Sequence, residues 1–161
     1  MPSPTDRTAI VALMIGELDY MSGLNRISAA IVERAVAVWR DTPGSVLICE
    51  SAPMAAEAAR LGVAVSDVVT ALPQALGHTT RLVAWWLARE GYGSHPVHIV
   101  THAMHAPRAL RILAKAGVRA SAVSLDLPFD PNDPDWKLRS AGVFRFYNAA
   151  AHVYCFCRGW M

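Results

Sequence analysis

Lysine is nearly missing from this 161-residue chain, which holds only Lys115 and Lys137. Lysine and arginine together number 15 against 13 acidic residues, a formal charge of +2 with histidines neutral. No basic block forms, so the electrostatic footprint of a nucleic-acid partner is lacking. Cysteine is scarce too: Cys49, Cys155 and Cys157 are an odd set, and two of them are too close for a usual bridge. That usage fits a reducing, cytoplasmic setting rather than a disulfide framework. No uncharged apolar run reaches about 18 residues, so no membrane span is expected. The opening MPSPTDRT has no basic region followed by a long apolar run, and residues 1–7 read as a loose tail, not a signal peptide. Glycine-rich phosphate loops are missing as well. The stretch IGELDYMSGLNR (15–26) has glycines only at 16 and 23 and matches neither GxGxxG nor a Walker A pattern.

What is present is core. Hydrophobic residues make up 53% of the chain and charged ones 17%, enough for one domain with one sizeable core. The apolar runs alternate in kind. TAIVALMI (8–15) is continuous, as a strand buried on both faces should be. Leu24, Ile27, Ile31, Ala35 and Val38 then recur at helical spacing, which predicts a helix over 24–40 ended by Pro43-Gly44. SVLIC (45–49) reads as a strand, and Pro53 and Gly62 bracket a short alanine-rich helix. DVVTAL (67–72) reads as a third strand, 79–90 as a helix, VHIVT (97–101) as a strand, Pro107 to Gly117 as a helix and SAVSL (121–125) as a last strand. LPFDPNDPDW (127–136) is a loop, and 138–157 is an aromatic helix whose aromatics are assigned to core packing. Alternating strands and helices predict a single Rossmann-like, three-layer α/β domain over 1–161. Its sheet is mostly parallel, with helices on both faces and an aromatic C-terminal helix.

In such a sheet, ligands bind beyond the carboxyl ends of the strands. Those ends carry Gly16, Glu17 and Asp19, then Glu50 and Ser51, then Thr101, His102 and His105, and finally Asp126. The richest is IVTHAMHAPRALRIL (99–113). A helix opening near Pro107 presents free N–H groups and a positive dipole end, which attract phosphate or carboxylate. Arg108 in its first turn can add a bidentate clamp. His105 just before it can move a proton near neutral pH. The plainer alternative has His105 closing a turn and Arg108 paired with a carboxylate. His102 and His105 form an HxxH pair, but no further ligand cluster accompanies them, and no metal is expected. Arg26 at a helix start can reach an anion, Thr79 and Thr80 suit a helix N-cap, and Cys49 reads as a buried inert thiol.

Several of these segments carry a resemblance. VTHAMHAPRAL is similar to the "VTSxYHxxRA" segment of the DUF218 family of YdcF-, SanA- and ElyC-like proteins. LNRISAAIVERAVAVWR resembles that family's arginine-containing helix, SVLICESAP its "IIVSGG" strand and turn, and GHTT its "NTxEN". DPNDPDW followed by RFYNAAAHVYCFCRGW resembles its late tryptophan and terminal "RGW". The resemblance implies a Rossmann-like domain with a ligand cleft, in which Arg26, Thr79, Thr101, His105 and Arg108 match motif positions. It also implies links to bacterial envelope biogenesis and to phosphorylated or nucleotide-like ligands. The chain departs from the family at "SGG", which is Glu50-Ser51-Ala52, and at the tyrosine before the histidine, which is Met104. With no anchor before the domain, it reads as a divergent soluble member.

The expected function is a hydrolase or transferase in envelope or specialised biosynthesis. It would act on an anionic, phosphorylated or nucleotide-like small molecule. His105 and Arg108 would be catalytic, and Gly16, Glu17, Arg26, Glu50, Ser51, Thr79, Thr101, His102 and Asp126 would line the ligand. The alternatives are a non-catalytic nucleotide- or S-adenosylmethionine-binding module and a homo-oligomer docking through the aromatic helix.

Overall fold

The computed structural model describes residues 7–15, 24–72 and 79–161. Its strands are β1 (Ala9–Ala12), β2 (Val46–Ser51), β3 (Val68–Leu72), β4 (Val97–His102) and β5 (Ala120–Leu125). Its α-helices are α1 (Arg26–Arg40), α2 (Ala52–Arg60), α3 (Thr79–Arg89), α4 (Ala106–Lys115) and α5 (Ala141–Cys157). The sheet is parallel throughout, in the order β3-β2-β1-β4-β5. This is the Rossmann-like α/β architecture expected from the alternation.

Residues of β1 are completely buried because both sheet faces are covered. Ala9, Val11 and Leu13 pack toward Val83 and Leu87 of α3 and Leu113 of α4. Ile10, Ala12 and Met14 pack toward Ile31 of α1 and Met54 of α2. The period of two in the strand therefore distributes one apolar run between two helical layers. Local chemistry sets the helix ends. The Asn25 side chain accepts from the Ser28 N–H at 2.8 Å to open α1, while its amide donates to the Ile15 carbonyl at 2.9 Å. Pro107 fits the first turn of α4, and Gly117 just after it takes φ 81°, where a side chain would be strained.

Helix α5 departs from expectation. It begins at Ala141, and residues before it form a short 3-10 turn, Trp136–Leu138. Phe144 joins the α1/α2 layer and Cys155 the α3/α4 layer, so the helix passes from one layer to the other. It does so past the carboxyl end of β4, where the Asn148 amide donates to the Met104 carbonyl at 2.7 Å. Core packing explains Phe144, but Phe146 and Phe156 are 74% and 69% exposed, and Tyr154 is also exposed. No helix among the described residues is long and apolar enough to cross a membrane.

The chain builds β1, β2 and β3 outward to one edge, then returns through α3 to place β4 on the other side of β1. The connections leaving β1 and β4 therefore diverge, and a crevice opens at their carboxyl ends.

Candidate functional site

That crevice is a cleft of about 560 Å³, the size of a small-molecule site. Met14 and Ile15 after β1 form part of its floor, and Thr79, Thr80 and Arg81 of α3 form one side. His105 and Arg108 form another, and Tyr147, Tyr154 and Trp160 close it from the C-terminal segment. Among the described residues its lining includes two arginines and no carboxylate.

His105 is the hinge of the site. It is buried, and its Nδ1 lies 3.1 Å from Arg108 Nη2 while its Nε2 lies 3.2 Å from Thr80 Oγ1. A guanidinium only donates, so Nδ1 accepts, the proton sits on Nε2, and Nε2–H donates to Thr80. Burial, then the neighbouring Arg108 charge, push the imidazole down to about 3, so the ring is neutral at pH 7. The same contact ties the first turn of α3 to the start of α4. Two helix N-termini thus converge on the cleft. No side chain caps α4.

Arg108 has no carboxylate partner among the described residues. Its Nε is buried without a hydrogen bond, and its guanidinium carbon stands 6.0 Å from the Tyr147 ring centroid. Arg81 stacks on Trp160 at 4.3 Å. Each cation is held by a histidine or an aromatic ring, and neither faces a carboxylate among the described residues. The arrangement suits an anion with a flat or apolar portion.

Beneath the cleft lies Glu50, at the carboxyl end of β2 and fully buried. The Met14 N–H donates to Oε2 at 2.9 Å. Burial pushes its carboxyl up to about 7, offset in part by the Thr79 hydroxyl and that backbone N–H. Thr79 does not complete a hydrogen bond to Oε1, which has no partner among the described residues.

The other sequence-predicted positions separate. Gly16, Glu17 and Asp19 lie outside the described residues, as does His78. Thr101 is a structural residue: it is buried, and its hydroxyl donates to the Leu13 carbonyl at 3.0 Å, stitching β4 to β1. His102 is likewise core. The Met104 N–H donates to its Nδ1 at 3.2 Å, so its Nε2–H donates to the Leu127 carbonyl at 3.1 Å, and Phe129 and Phe144 pack around the ring. Ser51 is buried with its hydroxyl 4.0 Å from the Met14 sulfur. Arg26 is not brought to the cleft: it is exposed, and its guanidinium donates to the Pro128 carbonyl at 2.9 Å. Asp126 is exposed and lines a separate shallow depression with Arg139 and Arg145. Cys49 is buried, which pushes its thiol up to about 12 and makes it a poor nucleophile. Among the described residues, no group of three or more histidine, cysteine or acidic side chains could hold a metal.

The sequence reading did not single out Arg81, Tyr147, Tyr154 or Trp160. A signal was present. An aromatic helix with Phe146, Tyr147 and then Tyr154 one to two turns apart has more rings than one face can bury. No family model, curated protein or solved structure matches this chain.

Proposed function

We propose that the chain binds an anionic, phosphorylated or nucleotide-like small molecule in this cleft and acts on it by hydrolysis or group transfer. The observation that carries the reading is Arg108, a cleft arginine with a buried, unpartnered Nε and, among the described residues, no carboxylate beside it. A phosphate would sit between its guanidinium and the opening turns of α3 and α4, with Thr79 and Thr80 donating at the rim. The aromatic wall of Tyr147, Tyr154 and Trp160 would take the remainder of the ligand. The motif resemblance to the DUF218 family agrees with this ligand class.

In the proposed reaction His105 is the acid/base. In the structure the ring is neutral, held there by burial and the Arg108 charge. An oxyanion beside it opposes both effects and raises the proton affinity of Nδ1, so the ring becomes a proton carrier only in the complex. The test is a panel of phosphomonoesters, phosphodiesters and nucleotides assayed with the wild type and His105→Ala. Acid/base catalysis predicts a loss of roughly 10²–10⁴ in kcat in a folded variant. A fully active His105→Ala protein would end the catalytic assignment.

A second reading, a binding module without turnover, is favoured by one observation: both ring nitrogens of His105 are already hydrogen-bonded. It predicts stabilisation by nucleotides or S-adenosylmethionine with no turnover of any of the panel. Ligand at a hundred times its Kd adds about 2.7 kcal/mol to the unfolding free energy.

A further inference from the structure

Helix α5 carries an arrangement that a phosphate alone does not use. Tyr147, Ala150, Ala151 and Tyr154 all line the cleft, at i, i+3, i+4 and i+7 on one face of the helix. At about 1.5 Å per residue, the two tyrosines stand about 10 Å apart along its axis. Between them that face is reduced to two methyl groups. The result is a flat apolar bed with an aromatic ring at each end. These residues are not core: Ala150 is exposed, Ala151 is half-buried and Tyr154 is 40% exposed, whereas the same helix buries Phe144 and Cys155.

The two ends of the bed differ in chemistry. The guanidinium carbon of Arg108 stands 6.0 Å from the Tyr147 ring centroid, so that end adjoins the anion receptor. At the other end Trp160 meets Tyr154 edge-on, with centroids 5.5 Å and planes 84° apart. The Arg81 guanidinium covers Trp160 at 4.3 Å. That order sets the polarity of a ligand: charge toward Tyr147, an uncharged portion toward Tyr154 and Trp160. A phosphate fills only a small part of a cleft of about 560 Å³, so the bed is left for the rest of the molecule. Aromatic faces and guanidinium planes stack on flat π systems. An alkyl chain would gain only burial from the same walls.

We propose that the bed of Ala150 and Ala151, between Tyr147 and Tyr154, seats a planar aromatic ring carried on the phosphorylated group that Arg108 holds. The ring is either the base of a nucleotide, reached through its ribose, or the ring of an aryl phosphate. The inference rests on the anion reading above and adds the chemical class of the rest of the ligand. It sets simple sugar phosphates and alkyl phosphates apart as poor ligands.

The test is calorimetric titration of the wild type, Ala150→Leu, Ala151→Leu and Tyr154→Ala with inorganic phosphate, ribose 5-phosphate, AMP, phenyl phosphate and octyl phosphate. Leucine is a good helix former and these positions face the cleft, so the leucine variants fill the bed and keep the fold. Stacking of one base on aromatic side chains is worth about five- to a hundredfold in affinity. A ring gain of that size should appear in the wild type, for AMP over ribose 5-phosphate or for phenyl phosphate over phosphate. Ala150→Leu and Ala151→Leu should lose the gain while binding phosphate as before. Tyr154→Ala removes a ring without filling the bed, should lose part of the gain, and serves if a leucine variant fails to fold. A gain confined to AMP identifies a nucleotide as the source of the ring, and a gain for phenyl phosphate identifies an aryl phosphate; both support the inference. Phosphate binding with no gain from either ring, an equal gain from octyl phosphate, or a gain that survives all three variants overturns the inference and leaves the anion site standing. No binding of phosphate or of any phosphorylated probe overturns the anion site and this inference with it.

Discussion

Replacing Glu50 by glutamine should change how stability depends on pH. In the folded protein the carboxyl titrates at about 7 rather than the ordinary 4.5. Between those values the native state holds a proton that the unfolded chain has released. Its contribution is fully present below pH 4.5 and is lost as pH rises to about 7. At about 1.4 kcal/mol for each pH unit, the rise from 4.5 to about 7 sets an upper limit of about 3.5 kcal/mol. Glutamine is neutral throughout and nearly isosteric. The assay is urea unfolding of both proteins from pH 4 to pH 9, with the stability difference plotted against pH. Wild type should lose ground to the variant between pH 4.5 and 7, and the difference should be flat above pH 8. His105 acts in the opposite sense, because its folded value of about 3 lies below the ordinary 6.5. Its contribution is present above pH 6.5 and is lost as pH falls, but it is common to both proteins and cancels in the difference. A difference that does not vary with pH would refute the burial argument for Glu50.

Three further outcomes follow from the same structure. Thr101→Val leaves the Leu13 carbonyl buried and unpaired, so unfolding midpoints in urea should drop by about 1–3 kcal/mol with phosphate affinity unchanged. His102→Ala removes a fully buried ring and its bond to the Leu127 carbonyl. It should cost about 2–5 kcal/mol, and a chelator should leave the wild-type melting temperature where it is; a chelator-sensitive melt would restore a metal role for the HxxH pair. Phe144→Ala empties a ring site packed by His102, Phe129 and Tyr147 and should cost about 3–5 kcal/mol by denaturant titration.

The layers of the fold were legible because each element carries its own signal. The run TAIVALMI reads as two-sided burial, Pro107 and Gly117 bracket α4, and the Leu24 to Val38 spacing gives the buried stripe of α1. The candidate site was legible only as a set of strand ends. Sequence spacing puts Thr101, His102 and His105 at one edge. It does not tell which face of the turn each side chain takes, and two of the three turn into the core. Arg26 matched by position along the chain, yet its helix directs it to the Pro128 carbonyl. Arg81 and Trp160 meet from positions 79 residues apart in the chain, and no local pattern encodes a pairing of that range. Glu50 looked like one more strand-end polar residue; only the burial of Oε1 without a partner sets it apart.

The central claim is that Arg108, at the cleft between β1 and β4, is the anion receptor. Calorimetric titration of inorganic phosphate into Arg108→Gln, with Arg26→Gln beside it, tests that most directly. The account predicts that Arg108→Gln weakens phosphate binding about ten- to a hundredfold while Arg26→Gln binds as the wild type does. Unchanged affinity in Arg108→Gln, or a loss confined to Arg26→Gln, would contradict it.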